Sequence, residues 1–119
     1  MRSFGDLESR LMQTLWSSND GLTVQEVIDR LETPVAYTTA ITVIERLRAK
    51  GWLAREKEGR AFRYVATRSE SQYAASLMSE ALDEVDDRTG ALLSFADRLN
   101  PDEARKLREA LGRLGSEEG

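Results

Sequence analysis

The apolar positions near the start of the chain recur at helical spacing. Phe4, Leu7, Leu11, Met12 and Leu15, with Trp16 alongside, predict one amphipathic helix. It ends before the turn cluster Ser17-Ser18-Asn19-Asp20-Gly21. Thr23 followed by Glu26 makes a capping box, in which each side chain satisfies a free backbone amide at a helix start. The helix it opens carries Val24, Val27, Ile28 and Leu31 on one face, and Thr33-Pro34 stops it, because proline disfavours helix in the residue before it. A third helix begins near Tyr37 or Thr38. Its apolar face is Ala40, Val43, Ile44 and Leu47; Thr38, Thr39, Thr42, Glu45 and Arg46 fall mostly on the other face, and Gly51 suits a left-handed cap. The period then changes. Trp52 to Lys57, a turn at Glu58-Gly59, and Arg60 to Val65, where Phe62 and Tyr64 alternate with Arg63 and Val65, predict a β-hairpin.

The second half reads as helix throughout. Ser69 with Gln72 is another capping box, and the helix after it places Tyr73, Leu77, Leu82 and Val85 inward before the acidic stretch Asp83 to Asp87. Gly90 to Leu99 forms a short helix with Leu92, Phe95, Ala96 and Leu99. Asn100-Pro101-Asp102-Glu103 is a compact helix start, with Asn as cap, Pro at the first position and carboxylates in the first turn. The last helix shows Leu107, Ala110, Leu111 and Leu114 and is expected to end at Gly115. The expected fold is mainly α with a small β-hairpin wing: a winged helix-turn-helix over residues 1–68 and a helical dimerisation domain over 69–119, divided near Arg68–Ser69 where basic, mixed composition turns acidic and helical. There is no internal repeat and no low-complexity tract.

Charge changes the picture more by its distribution than by its sum. The net charge is −4. Residues 1–35 carry 3 basic and 6 acidic side chains, and residues 69–119 carry 6 and 12. Residues 36–68 carry 8 basic (Arg46, Arg48, Lys50, Arg55, Lys57, Arg60, Arg63, Arg68) against 3 acidic. One central basic stretch is the electrostatic footprint of nucleic-acid binding. The chain has no Cys and no His, which removes disulfides, thiolate and imidazole chemistry and the usual zinc and copper ligands. No loop gathers carboxylates for a hard cation, no glycine loop cradles phosphate, and no carboxylate pair sits in an apolar setting, so neither an enzyme nor a cofactor or metal protein is expected. No apolar run approaches the roughly 20 residues that span a bilayer, and the N-terminus has no signal-peptide core, so the cytoplasm is the expected compartment, without direct membrane association.

A helix-turn-helix lays its second helix in the major groove. There Thr can bond several bases or pack its methyl on thymine, and Arg can pair with guanine in bidentate fashion. The candidate DNA-binding residues are therefore Tyr37, Thr38, Thr39, Thr42, Arg46, Arg48 and Lys50 on and after the third helix, with Arg55, Lys57, Arg60 and Arg63 on the wing. Blander readings stand beside this one. Arg46, Arg48 and Lys50 also suit a solvated helix end complementing the dipole, and the hairpin an ordinary charged one. A winged helix that binds proteins without sequence-specific DNA contact is the main alternative; a small-molecule-sensing regulator would need a pocket that nothing in the sequence marks.

The C-terminal helices present Leu77, Leu82, Leu92, Phe95, Leu99, Leu107, Leu111 and Leu114. About 50 residues bury this much apolar surface poorly alone. Two copies exchanging helices would cover it; folding back onto the winged helix as a monomer core is the other reading.

Taken together, Leu11 to Trp16, Thr23 to Val27, Ala36 to Leu47, Lys50-Gly51-Trp52-Leu53 and Gly59 to Tyr64 resemble the BlaI/MecI/CopY penicillinase-repressor family over nearly the whole chain. The resemblance implies a homodimer that blocks transcription from a palindromic operator. Its recognition helix matches Tyr37 to Arg48, with base contacts on Thr38, Thr39 and Thr42, Arg46 beside them and Tyr37 near the backbone; its wing matches Arg55 to Arg63. It also implies inactivation by a membrane-bound sensor that triggers cleavage before the Phe of a Leu-x-x-Phe-Ala stretch, here the Ser94–Phe95 bond. Some members carry Asn before that Phe, where this chain has Ser94. The copper-responsive branch uses Cys pairs, which this chain lacks.

Overall fold

Residues 3–118 are described by a computed structural model. Its helices are α1 (Asp6–Trp16), α2 (Val24–Arg30), α3 (Tyr37–Ala49), α4 (Glu70–Glu84), α5 (Arg88–Ala96) and α6 (Pro101–Glu118); its strands are β1 (Leu22–Thr23), β2 (Leu53–Glu58) and β3 (Ala61–Ala66). The order of the first unit, helix, short strand, two helices and a hairpin, is that of a winged helix. Two compact units are present, one ending at Leu77 and the next beginning at Met78. Among the described residues no helix is long and apolar enough to cross a membrane.

The helix starts follow from local side-chain chemistry. Thr23 Oγ1 accepts from the Glu26 amide at 3.2 Å while the Thr23 amide donates to Glu26 Oε1 at 2.9 Å. Ser69 and Gln72 exchange the same pair of bonds at 3.1 and 2.8 Å, and Asn100 and Glu103 do so at 2.8 and 3.0 Å. Each box satisfies two amides that a helix start leaves open. α3 ends where Gly51 takes φ +91°, a conformation nearly free to glycine alone.

In the first unit the apolar faces of α1 (Leu11, Met12, Leu15), α2 (Val24, Val27) and α3 (Ala40, Val43, Ile44, Leu47) close on Leu22, Trp52, Leu53 and Tyr64. The sheet order is β1-β3-β2, antiparallel throughout, with Leu22 opposite Tyr64 and Arg55 also opposite Tyr64. β1 is not foreseen by the hydrophobic pattern, since two residues carry no periodicity; Thr23 is legible only as a cap. The hairpin loop is Gly59-Arg60, one residue later than expected, because Glu58 still pairs with Ala61 and Gly59 takes φ +63°.

One carboxylate joins α3 to the hairpin. Glu45 Oε1 accepts from Arg48 Nε and Nη2 at 3.1 and 2.9 Å. Glu45 Oε2 accepts from Arg55 Nη1 at 3.0 Å and from the Tyr64 hydroxyl at 2.5 Å. Tyr64 is 1% exposed, and a buried phenol without an acceptor would be costly. The Arg48 guanidinium first, with the Tyr64 hydroxyl and the Arg55 charge, holds Glu45 below its ordinary pKa of 4.5. Burial, then the hydrogen bond to Glu45, pushes Tyr64 above 10.

The unit boundary falls further along than the composition change at Arg68–Ser69. The start of α4 is tied to the winged helix by a ring cluster. Phe4 stacks on Tyr73 with centroids 4.1 Å apart, Trp52 meets both rings edge-on, and the Phe4 amide donates to the Tyr73 hydroxyl at 2.7 Å. Trp16 Nε1 donates to the Arg68 carbonyl at 2.8 Å, and Gln13 to Glu70 at 2.6 Å.

In the second unit, Asp87 caps α5 by accepting from the Gly90 amide at 2.9 Å, which starts the helix at Arg88, before Gly90. α5 stops at Ala96, leaving Leu99 in the turn that follows. Val85 is exposed, not inward as expected, because α4 ends one residue earlier. α6 continues through Gly112 and Gly115 to Glu118 where a stop at Gly115 was expected. Glycine weakens a helix interior by about 1 kcal/mol but ends one only through a left-handed φ, and neither glycine adopts it.

Two predictions follow from this packing. A Cβ on Gly21, at φ +83°, would lie 2.7 Å from the Tyr64 carbonyl oxygen, whereas one on Gly59 meets nothing. Gly59→Ala should cost about 1–2 kcal/mol of unfolding free energy for its left-handed backbone, and Gly21→Ala clearly more, in urea melts of the two variants. The second concerns pH. A carboxylate whose pKa is depressed on folding stabilises above its unfolded value and loses that stabilisation as pH falls through the folded one. Lowering the pH from neutral to below 4.5 should therefore destabilise Glu45→Gln less than the parent, read as the difference in melting temperature. Tyr64, raised on folding, adds stability up to about 10 that fades as pH rises through its folded value.

Candidate nucleic-acid interface

The face of α3 turned from the core is polar and short-chained. Thr38, Thr39, Thr42 and Arg46 are exposed and line one shallow, open depression with Val43. The Thr42 hydroxyl donates to the Thr38 carbonyl at 2.7 Å, so its lone pairs and methyl are what remain for an external ligand. Tyr37, 53% exposed, stands at the first turn of α3. It lines a second recess, of about 170 Å³, with Thr23, Ile41, Arg60, Phe62 and neighbours. The N-cap of α3 is Ala36, whose side chain offers no acceptor. The first amides of α3 are thus left for an outside oxygen, and the positive end of the helix dipole favours an anion there.

The cations that the sequence groups together are sorted by the structure. Arg46, Lys57 and Arg60 form no hydrogen bond or ion pair with another described residue. Arg48 and Arg55 converge on Glu45, and Arg55 also lies over the Phe62 ring at 4.1 Å. Arg63 donates to Glu58 at 2.5 Å, to the Gly21 carbonyl at 2.8 Å and to Glu26 at 3.3 Å, clamping β3 to the turn before β1. Lys50 pairs with Glu8 of α1 at 3.0 Å. The hydrogen bond to Glu45 raises Arg48 above its ordinary pKa, and that to Glu58 raises Arg63. Glu26 is held below its usual range, chiefly by the Thr23 amide.

Glu45 is the residue whose role the sequence hides. Its spacing to Arg48 is a legible helix pair, but Arg55 and Tyr64 reach it only through the fold.

The second unit keeps its apolar residues in the open. Met78, Ala81, Leu82, Val85, Ala91, Leu92 and Phe95 line an almost wholly apolar depression of about 290 Å³. Leu107, Leu111 and Leu114 form an exposed stripe on α6, with Leu111 at 58%; Leu99 is half-buried, as is Leu77 at the end of the first unit. The Ser94–Phe95 bond lies inside α5, with both residues exposed.

Residues 4–113 match the family described as penicillinase repressor. The transcriptional regulator BlaI of Mycobacterium tuberculosis is 38% identical over 120 residues, an alignment that covers 97% of this chain and 87% of the relative. The solution structure of the DNA-binding domain of the repressor BlaI aligns with 61% of this chain and 94% of that domain, at 32% identity and a TM-score of 0.52. MepR, a transcription regulator of the Staphylococcus aureus multidrug efflux pump MepA, aligns with 98% of this chain and 82% of its own at a TM-score of 0.53; at 15% identity that likeness is one of fold. The chain therefore belongs to the penicillinase repressor family, as a transcriptional repressor of the BlaI type with the winged-helix fold of the BlaI DNA-binding domain.

Proposed function

We propose that the protein works in the cytoplasm as a homodimer on a palindromic operator, each copy laying α3 in a major groove. The observation that carries this reading is the outer face of α3: three exposed threonines beside an exposed Arg46 that forms no hydrogen bond or ion pair with another described residue. Thr38, Thr39, Thr42 and Arg46 read base edges. Tyr37 and the open amides of α3 take backbone phosphate, and Lys57 and Arg60 do so from the wing. Arg48, Lys50, Arg55 and Arg63 support this surface from their internal pairs. Successive half-sites lie about 34 Å apart along the duplex.

The functional division is a DNA-binding region over 1–68 and a dimerisation region over 69–119. Leu77, Leu82, Leu92, Phe95, Leu99, Leu107, Leu111 and Leu114 supply the apolar surface that a second copy covers; the exposure of Leu92, Phe95, Leu107, Leu111 and Leu114 and the depression at Phe95 support this. Repression ends when the dimerisation region is broken. Scission of Ser94–Phe95 through a membrane sensor and protease is one route, supported by the exposure of both residues in a helix of nine, too short to be stable alone.

Arg46→Ala should lose about 1–3 kcal/mol on the operator and relax selectivity at one base position. Lys57→Ala should weaken binding to all duplexes alike. Both are read by fluorescence anisotropy on promoter fragments at several salt concentrations, and equal loss on every fragment for Arg46→Ala would deny it a base contact. Phe95→Asp should convert the dimer to monomer by light scattering and lower operator affinity by about two to four orders of magnitude, with the near-ultraviolet signal of the Trp16 and Trp52 cluster retained. Unchanged mass and affinity would remove the dimerisation assignment.

A further inference from the structure

We propose that Glu45 is a positioning residue that withholds Arg48 and Arg55 from the DNA backbone, so that affinity depends on the base-reading face of α3 more than on bulk charge. This rests on the assignment of that face to DNA.

Glu45 follows Thr42 by three positions and Thr38 by seven, and stands half-buried at the edge of their face, where α3 meets the hairpin. A carboxylate there ordinarily repels phosphate or accepts a hydrogen bond from the cytosine amino group. Neither role is open to Glu45, because both its oxygens are taken. Oε1 receives two bonds from Arg48; Oε2 receives one from Arg55 and one from Tyr64. Four donors fill the acceptor capacity of a carboxylate.

The group is also fixed in place. Tyr64 belongs to the core, so its hydroxyl cannot follow a moving carboxylate. Arg55 is further seated on Phe62. Two guanidiniums that would otherwise reach for phosphate are held at 2.9 and 3.0 Å from one anion, and one unit of their charge is neutralised. Non-specific binding is nearly all phosphate attraction. Lowering it while sparing Arg46 and the threonines widens the ratio of operator to bulk DNA affinity, which is what sets occupancy among many competing sites.

The test is the salt dependence of binding to operator and to random-sequence duplex by the full chain. Each phosphate contact contributes about 0.9 to the slope of log affinity on log salt. Glu45→Gln should steepen the slope by about 1–2 on both duplexes, which is an extra loss of affinity of about four- to sixteenfold over a fourfold rise in salt. It should tighten random-duplex binding at low salt and narrow the operator preference. A purely structural role for Glu45 would weaken binding at unchanged slope, and that result overturns the proposal. Arg48→Ala and Arg55→Ala test it in the parent background, whatever the stability of Glu45→Gln. If these arginines are withheld, neither variant flattens the slope; a flattening by about 1 in each means they already touch phosphate, and overturns the proposal. Arg46→Ala separates the two readings. A change in its selectivity with no change of slope in Glu45→Gln sinks this inference alone, whereas silence of both variants sinks the assignment of the face as well.

Discussion

The hydroxyl of Tyr64 sets the geometry of the winged helix. Its ring fills the core between α1, α3 and the sheet, where a phenol oxygen with no acceptor would offset much of what the ring contributes. The acceptor is Glu45, on α3 and not on the sheet. Satisfying one buried polar atom therefore fixes β3 against α3. The ladder carries that constraint to β2 and the hairpin tip, since Arg55 stands opposite Tyr64 and turns to the same carboxylate. The wing is consequently held at one angle to α3, the helix proposed to meet DNA, without a large hydrophobic wing core.

This arrangement bears on how a chain of net charge −4 presents a DNA-binding surface. The local excess of basic residues in 36–68 overstates the free charge, because Arg48, Arg55, Arg63 and Lys50 are engaged inside the unit. Exposed ion pairs contribute little stability one by one. Here their geometric effect is larger than their energetic one: Arg63 ties β3 to Gly21 and Glu26, and Lys50 ties the end of α3 to α1. Arg46, Lys57 and Arg60 are left to face solvent, on the helix and the hairpin that a winged helix offers to a duplex.

Local chemistry made much of the fold legible. All three side-chain boxes, at Thr23, Ser69 and Asn100, form as their residue types require, and the apolar faces of α1 and α3 are the ones buried. What escaped has a common cause, which is dependence on distant residues. β1 exists only because β3 passes beside it. α4 belongs in part to the first unit only because Tyr73 stacks on Phe4, 69 residues away in sequence. Thr38, Thr39, Thr42 and Arg46 were legible as one face from helical spacing alone. That Arg48 and Arg55 belong to a separate, occupied group was not, because charge in a sequence carries no sign of its partner across the fold. The Gly115 stop failed for the opposite reason: a local rule had no tertiary contact to enforce it.

The second unit poses a different physical problem. Its hydrogen bonds and helix starts are in order, from Asp87 at α5 to the Asn100 box at α6, yet its larger apolar side chains stay in contact with solvent. Capping and pairing thus specify the helices without burying them. A contiguous apolar surface of this kind is a signature of association. In the proposed dimer, the residues that would be covered include Phe95, which also flanks the proposed scissile bond inside α5. Covering Phe95 and opening α5 for cleavage are then mutually exclusive states of the same nine residues. A protease must first draw α5 out of its helix, and each contact made by a second copy raises the free energy of that local unfolding. The strength of the proposed dimer and the rate of its proposed inactivation are set by one surface, and a change that improves the first slows the second.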